Sequence, residues 1–159
     1  GSWRMNPEIA VGGLFADLAS HTLDLLDYFL GPIQTAYGFA SNQAGRYKAE
    51  DLVSAAFTFE SGVQGIGQWC FESGAEEEYN EIIGSLGKIV YSTFRNEPIR
   101  LTTKRGEEQW MIEQPMHVQQ PLIQSVVDEL RGKGGTCPST GASAMRTNRV
   151  MDMILEVYE

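Results

Sequence analysis

The sequence predicts an α+β fold, a large and predominantly antiparallel β-sheet with helices packed on one face. Three observations carry this expectation. A wide-faced helical pattern opens the chain, a run of short apolar and β-branched segments follows, and two further helical patterns close it. The middle segments are joined by short turns, and strands so joined are antiparallel, because a parallel neighbour needs a crossover of about a dozen residues or more.

The first helix is expected over Gly13–Leu30, with Gly12-Gly13 before it and Gly31-Pro32 as its stop. At about 100° per residue, Leu14, Phe15, Leu18, Leu23, Leu25, Leu26, Phe29 and Leu30 cover about half of its circumference. Strands are expected at Ile33–Ala40, Leu52–Phe59 and Val63–Phe71, with Glu60-Ser61-Gly62 as a tight turn between the last two. Tyr79–Ile83 and Lys88–Phe94 flank Gly84-Ser85-Leu86-Gly87, a hairpin signature. Ile99–Thr103 and Gln109–Ile112 flank the polar turn Lys104–Glu108. The closing helices are Gln119–Arg131, where Pro121 fits only the first turn, and about Ala142–Tyr158, with Ser139 or Thr140 as its cap. The run Glu76-Glu77-Glu78 reads as a solvated loop.

Composition sets outer bounds. The chain has 159 residues, enough for one packed core, and nothing in it requires two domains. Gly1-Ser2 reads as a tag remnant, leaving 3–159 as one domain. A net charge of −9 and the lack of a basic stripe speak against nucleic acid as a partner. No apolar run approaches the roughly 18 residues of a membrane span, and no signal peptide is visible. The expected location is cytoplasmic, with export as the alternative, since Gly1-Ser2 reads as replacing the natural N-terminus. Cys70 and Cys137 lack metal or disulfide spacing and read as small buried apolar side chains.

Chemistry concentrates on the first helix. Asp17, His21, Asp24 and Tyr28 project within about 60° of one another, a narrow polar stripe beside the apolar arc. Asp17 and His21 stand four residues apart, so a carboxylate lies one turn from an imidazole. Such a carboxylate fixes the imidazole tautomer and raises its basicity, as general acid–base chemistry near neutral pH requires. The same spacing also fits a solvent-facing ion pair. A metal site would need Asp24 as third ligand with no Cys or further His near, which zinc disfavours, so no metal is expected. His117 has no acidic partner at helical spacing and reads as a surface or boundary histidine. No G-x-G-x-x-G opening a helix, no P-loop and no nucleophile elbow occurs, and Gly62–Gly67 falls inside a strand pattern. No cofactor-binding residue is therefore assigned.

The segment WRMNPEIAVGGLFADLASHTLDLLDYFLGP (Trp3–Pro32) resembles the start of the C-terminal domain of the Gfo/Idh/MocA oxidoreductases, which carry Gly-Gly-Gly-x-x-x-Asp-x-Gly-x-His-x-x-Asp at this point. EDLVSAAFTFESGVQG resembles the family's central strands, NEIIGSLGKIV its Glu-Ile-x-Gly-x-x-Gly hairpin, and PLIQSVVDELRG and CPSTGASAMRTNRVMDMI its closing helices. Val11 and Ala19 stand where the family has glycine.

The resemblance implies a parent with a Rossmann domain for NAD or NADP, absent here, joined to this substrate-binding and oligomerisation domain. It implies His21 as the proton donor and acceptor of a hydride transfer to or from a sugar, polyol or related hydroxy compound. Asp17 would orient His21 or hold a substrate hydroxyl, and Trp3 and Arg4 would approach the substrate. The catalytic lysine would lie in the missing domain, leaving the isolated chain inactive. The apolar content of the strands makes a homo-oligomer through the sheet the expected assembly. The alternative is a non-catalytic, sheet-mediated interaction module in which the Asp17/His21 stripe is a relic.

Overall fold

The structure, a computed structural model, describes residues 13–158. Trp3, Arg4 and Val11 lie outside the described residues. The element order is α1 (Leu14–Leu30), β1 (Ile33–Ser41), β2 (Leu52–Phe59), β3 (Gln64–Cys70), β4 (Asn80–Gly84), β5 (Gly87–Tyr91), β6 (Ile99–Thr103), β7 (Gly106–Trp110), α2 (Gln120–Leu130) and α3 (Gly141–Leu155). Every strand pairing is antiparallel, in a three-stranded sheet ordered β1-β2-β3 and a four-stranded sheet ordered β4-β5-β6-β7. This is the α+β class that helix, strands and helices in that order predict. Two compact units result, one from residues up to Gly74 with Pro138 onward, the other spanning Ala75–Cys137.

In the first unit the strands alternate cleanly. Ala36, Val53, Ala55, Phe57 and Phe59 face inward and are buried with Phe15, Ala19 and Leu23 of α1 and Val150, Met151 and Ile154 of α3. The register that pairs Gly38 with Ala55, and Ala55 with Gly67, puts small residues in one row across the sheet. That row admits close neighbours. A Cβ at Gly38 would stand 2.5 Å from the Ile154 carbonyl oxygen, and one at Gly67 would meet the Trp69 ring at 2.3 Å. Both helices thus cover a single face of the sheet. The outer face carries Tyr37, Phe39, Ile66 and Cys70, all exposed. Cys70 is therefore not the buried thiol expected from the sequence, because it shares the outward alternation of Ile66 and Gln68. Cys137 is buried as expected.

Turn chemistry holds the hairpins. Gly62 sits at φ 85°, a left-handed conformation that a side chain disfavours, and its N–H donates to the Phe59 carbonyl at 2.9 Å. Helix α1 stops at Gly31, φ 86°, whose N–H donates to the Asp27 carbonyl at 2.9 Å, and Pro32 cannot continue it. Thr140 caps α3 in a capping box with Ser143.

In the second unit the β6–β7 turn is two residues, Lys104-Arg105, so Glu107 and Glu108 belong to β7 and not to the turn. Every β7 residue is exposed, so no apolar alternation marks it in the sequence. Glu78 also departs from the solvated-loop expectation. Its carboxylate accepts from Thr93 N at 2.9 Å, from Asn80 Nδ2 at 3.2 Å and from the Ser92 hydroxyl, joining the start of β4 to the end of β5.

Candidate active site

Helix α1 carries the predicted pair. Its inner side is held at both ends: Phe15 meets Trp69 edge-on with ring centroids 5.1 Å apart, and Leu23 is fully buried. At the C-terminal half, Arg146 of α3 grips Asp27 with two charge-assisted bonds, Nε to Oδ1 at 3.0 Å and Nη2 to Oδ2 at 2.5 Å. The Asp27 carboxylate is buried, and its proximity raises the Arg146 guanidinium above its ordinary value through that hydrogen bond. Asp24 accepts from the Thr147 hydroxyl at 3.2 Å.

These contacts divide the polar stripe. Asp24 is used in the helix–helix interface, whereas Asp17, half-buried, and His21, exposed, stand one turn apart nearer the N-terminus. Asp17 lies in the first turn, where the helix dipole favours a negative charge. Tyr28, at the far end of the stripe, is exposed and tilts against Phe29. The helix therefore presents a carboxylate and an imidazole from a backbone that three buried anchors keep rigid. His117 is exposed in the segment before α2.

The glycines of β3 do not form a phosphate cradle. Gly65 packs against the Phe57 ring and Gly67 against Trp69. Among the described residues no group of three or more His, Cys, Asp or Glu could hold a metal ion.

A second polar cluster was not foreseen from the sequence. The loop between β1 and β2 folds around Asn42 and Asp51: Asn42 Nδ2 donates to the Ala49 carbonyl at 2.8 Å, and Asp51 accepts from Gln43 N and Ala44 N at 2.8 and 2.7 Å. Glu50 and Asp51 are both buried. Burial pushes the Glu50 carboxyl up, against the pull of the backbone N–H groups of Glu50 and Gly13. Burial, helped by the carboxylates of Asp51, Glu72 and Glu50, pushes the Tyr47 phenol up to about 12. The sequence carries no signal for this enclosure, since charged residues such as the adjacent acids in "AEDL" are seldom buried.

With this geometry the chain can be placed among known proteins. Residues 1–90 match the GFO/IDH/MocA C-terminal domain. The chain is 32% identical over 152 residues to oxidoreductase P35 of Formosa agariphila, covering 96% of this chain and 46% of that protein. The chain belongs to the GFO/IDH/MocA family. Its fold also matches aldose-aldose oxidoreductase from Caulobacter crescentus, solved with glycerol, at TM-score 0.82 and 18% identity, over 98% of this chain and 48% of that one. An oxidoreductase from Agrobacterium radiobacter, solved with NAD+, L-tartaric acid and magnesium, matches at TM-score 0.76 and 20% identity, over 91% and 46% of the two chains. The chain thus spans about half the length of the relatives it matches, and its fold is that of their C-terminal domain.

Proposed function

We propose that the chain is the substrate-binding and catalytic half of an oxidoreductase that moves hydride between a nicotinamide cofactor and a sugar, polyol or related hydroxy compound. The observation that carries this reading is the Asp17–His21 pair on a helix locked from behind by Phe15, Leu23 and Asp27. His21 takes the proton from the substrate hydroxyl in oxidation and returns it to the carbonyl oxygen in reduction. Asp17 fixes the imidazole or holds a neighbouring hydroxyl. Trp3 and Arg4 belong to the same proposal as substrate contacts. The β3 glycines, filled by aromatic rings, offer no phosphate cradle, and the proposal assigns NAD or NADP to the part of the parent outside this chain. The glycerol bound to the aldose-aldose oxidoreductase and the NAD+ bound to the Agrobacterium protein support the substrate and cofactor classes.

The test compares this chain with its full-length parent, each assayed with NADH and NADPH against a panel of ketoses. Turnover by the parent and none by the chain is expected. Reduction by the chain alone at enzyme-like rates would overturn the division of labour.

A second reading rests on its own observation. Tyr37, Phe39 and Ile66 on the outer face of the three-stranded sheet are 76%, 79% and 87% exposed, and Tyr37 and Ile66 share one cross-strand row through Ala56. Such a patch supports self-association through this sheet. Light scattering after size exclusion should show a dimer or larger assembly; a strict monomer at high concentration would count against it.

A further inference from the structure

The first turn of α1 has no cap from its own N-cap residue, because Gly13 has no side chain to supply one. The loop before β2 fills that place. A Cβ at Gly13 would stand 2.7 Å from Ala49 Cβ and 2.8 Å from Glu50 Oε1, so only glycine lets the loop come this close. Glu50 is 4% exposed, and among the described residues its Oε1 has no hydrogen-bond partner. An enclosed, incompletely paired carboxyl is costly, and a neutral or apolar side chain would serve packing better. Its one evident use is where it sits, against the head of the helix that carries Asp17 and His21.

We propose that Glu50 is a positioning residue for the Asp17–His21 pair: its buried carboxyl group, seated against Gly13, sets the first turn of α1 and with it the placement of both side chains. This rests on the proposed role of that pair. Glu50 touches no reacting atom and acts through the backbone. Among the described residues, the titratable groups near it are Asp51 beside it, Tyr47 in the same loop and Tyr158 beyond α3, whose phenol burial and the charges of Glu50 and Asp51 push up, while Asp17 stands in the first turn of the helix itself. Glu72, paired with Arg46 at 3.0 Å, adds to the negative surroundings of Tyr47. Glycine at position 13 follows from the same contact, which accounts for one residue of the Gly-Gly pair before the helix.

The experiment is amide hydrogen exchange and His21 ring NMR on the 159-residue chain, its Glu50→Ala variant and its Glu50→Gln variant. Glu50→Ala removes the carboxyl group that packs against Gly13. Exchange at the first turn of α1 should rise on the order of tenfold, with β2 amides little changed and the His21 ring signals shifted. Glu50→Gln keeps an acceptor oxygen, so it should restore both the protection and the ring signals. Unchanged first-turn protection in Glu50→Ala, or an equal loss across α1 and β2, would overturn the proposal. If Glu50→Ala does not fold, the wild-type chain and Glu50→Gln decide. First-turn protection factors should follow the ionisation of Glu50 in the wild type and lose that dependence in Glu50→Gln; a dependence absent from both would overturn it. The outcome is separable from the proposed function. A parent whose activity ignores His21 would leave this coupling intact, and a lack of coupling would leave the chemistry of His21 untouched.

Discussion

Replacing Arg146 by alanine isolates what fastens α1 to α3. The pair it breaks has a buried carboxylate, 8% exposed, and a guanidinium side chain that is 45% exposed. An exposed pair contributes about 0.2–1 kcal/mol. Stranding one member of a fully buried pair costs about 3–5 kcal/mol. Asp27 is enclosed and Arg146 is half open, so the cost falls between, at about 2 kcal/mol. For a chain of this length that is a drop in Tm of roughly 4–8 °C. Urea denaturation followed through the β2 amides should report the loss. Because the carboxylate is shielded, raising the salt from 0.15 M, where the screening length is about 8 Å, should recover little of it. The double variant Arg146→Ala with Asp27→Ala should cost less than the two single changes added together, by about 1 kcal/mol or more. A single-variant loss below about 0.5 kcal/mol, or strict additivity in the cycle, would show that the two bonds at 3.0 and 2.5 Å do not hold the helices together.

Other outcomes follow from the same packing. Phe15→Ala should cost about 3–5 kcal/mol in chemical denaturation, since the ring is fully buried against Trp69. Gly38→Ala should cost about 1–3 kcal/mol, because the new methyl would press on the backbone carbonyl of Ile154, and the amides at the end of α3 should exchange faster. Stability should depend on pH through Glu50. Its folded value is raised, so its contribution is fully present below the ordinary carboxylate range near 4.3 and is lost as pH rises through the raised value. Denaturation measured from pH 4 to 8 should show that decline in the wild type and a flatter curve in Glu50→Gln; parallel curves would contradict it. Ile66→Glu should reduce self-association while leaving the far-UV circular dichroism unchanged, as its side chain is 87% exposed on the outer face.

The elements with strong local signals were legible in the sequence. The apolar arc of α1, its Gly31-Pro32 stop, the Gly62 turn and the Thr140 cap each rest on short-range chemistry that a sequence displays. Strand β7 was placed late because all five of its residues are exposed, leaving no apolar period to read. The division of the strands into sheets of three and four depends on which edges pair, a long-range property. So does the Asp27–Arg146 clasp, whose members lie 119 residues apart. Within the site, spacing put Asp17, His21, Asp24 and Tyr28 in one stripe. It could not tell that Thr147 engages Asp24 in the helix interface while Asp17 and His21 stand outside those clasps. The enclosure of Glu50 was invisible for the same reason, since the sequence does not say that its loop meets the head of α1.

The most direct test is the parent's turnover with His21 replaced by alanine, measured with its nicotinamide cofactor and its best polyol or sugar. Removing a positioned acid–base group should lower kcat by about 10²–10⁴-fold while the melting temperature stays close to wild type, because the side chain is exposed. Turnover that survives the substitution unchanged would remove His21 from the mechanism and leave α1 a structural helix.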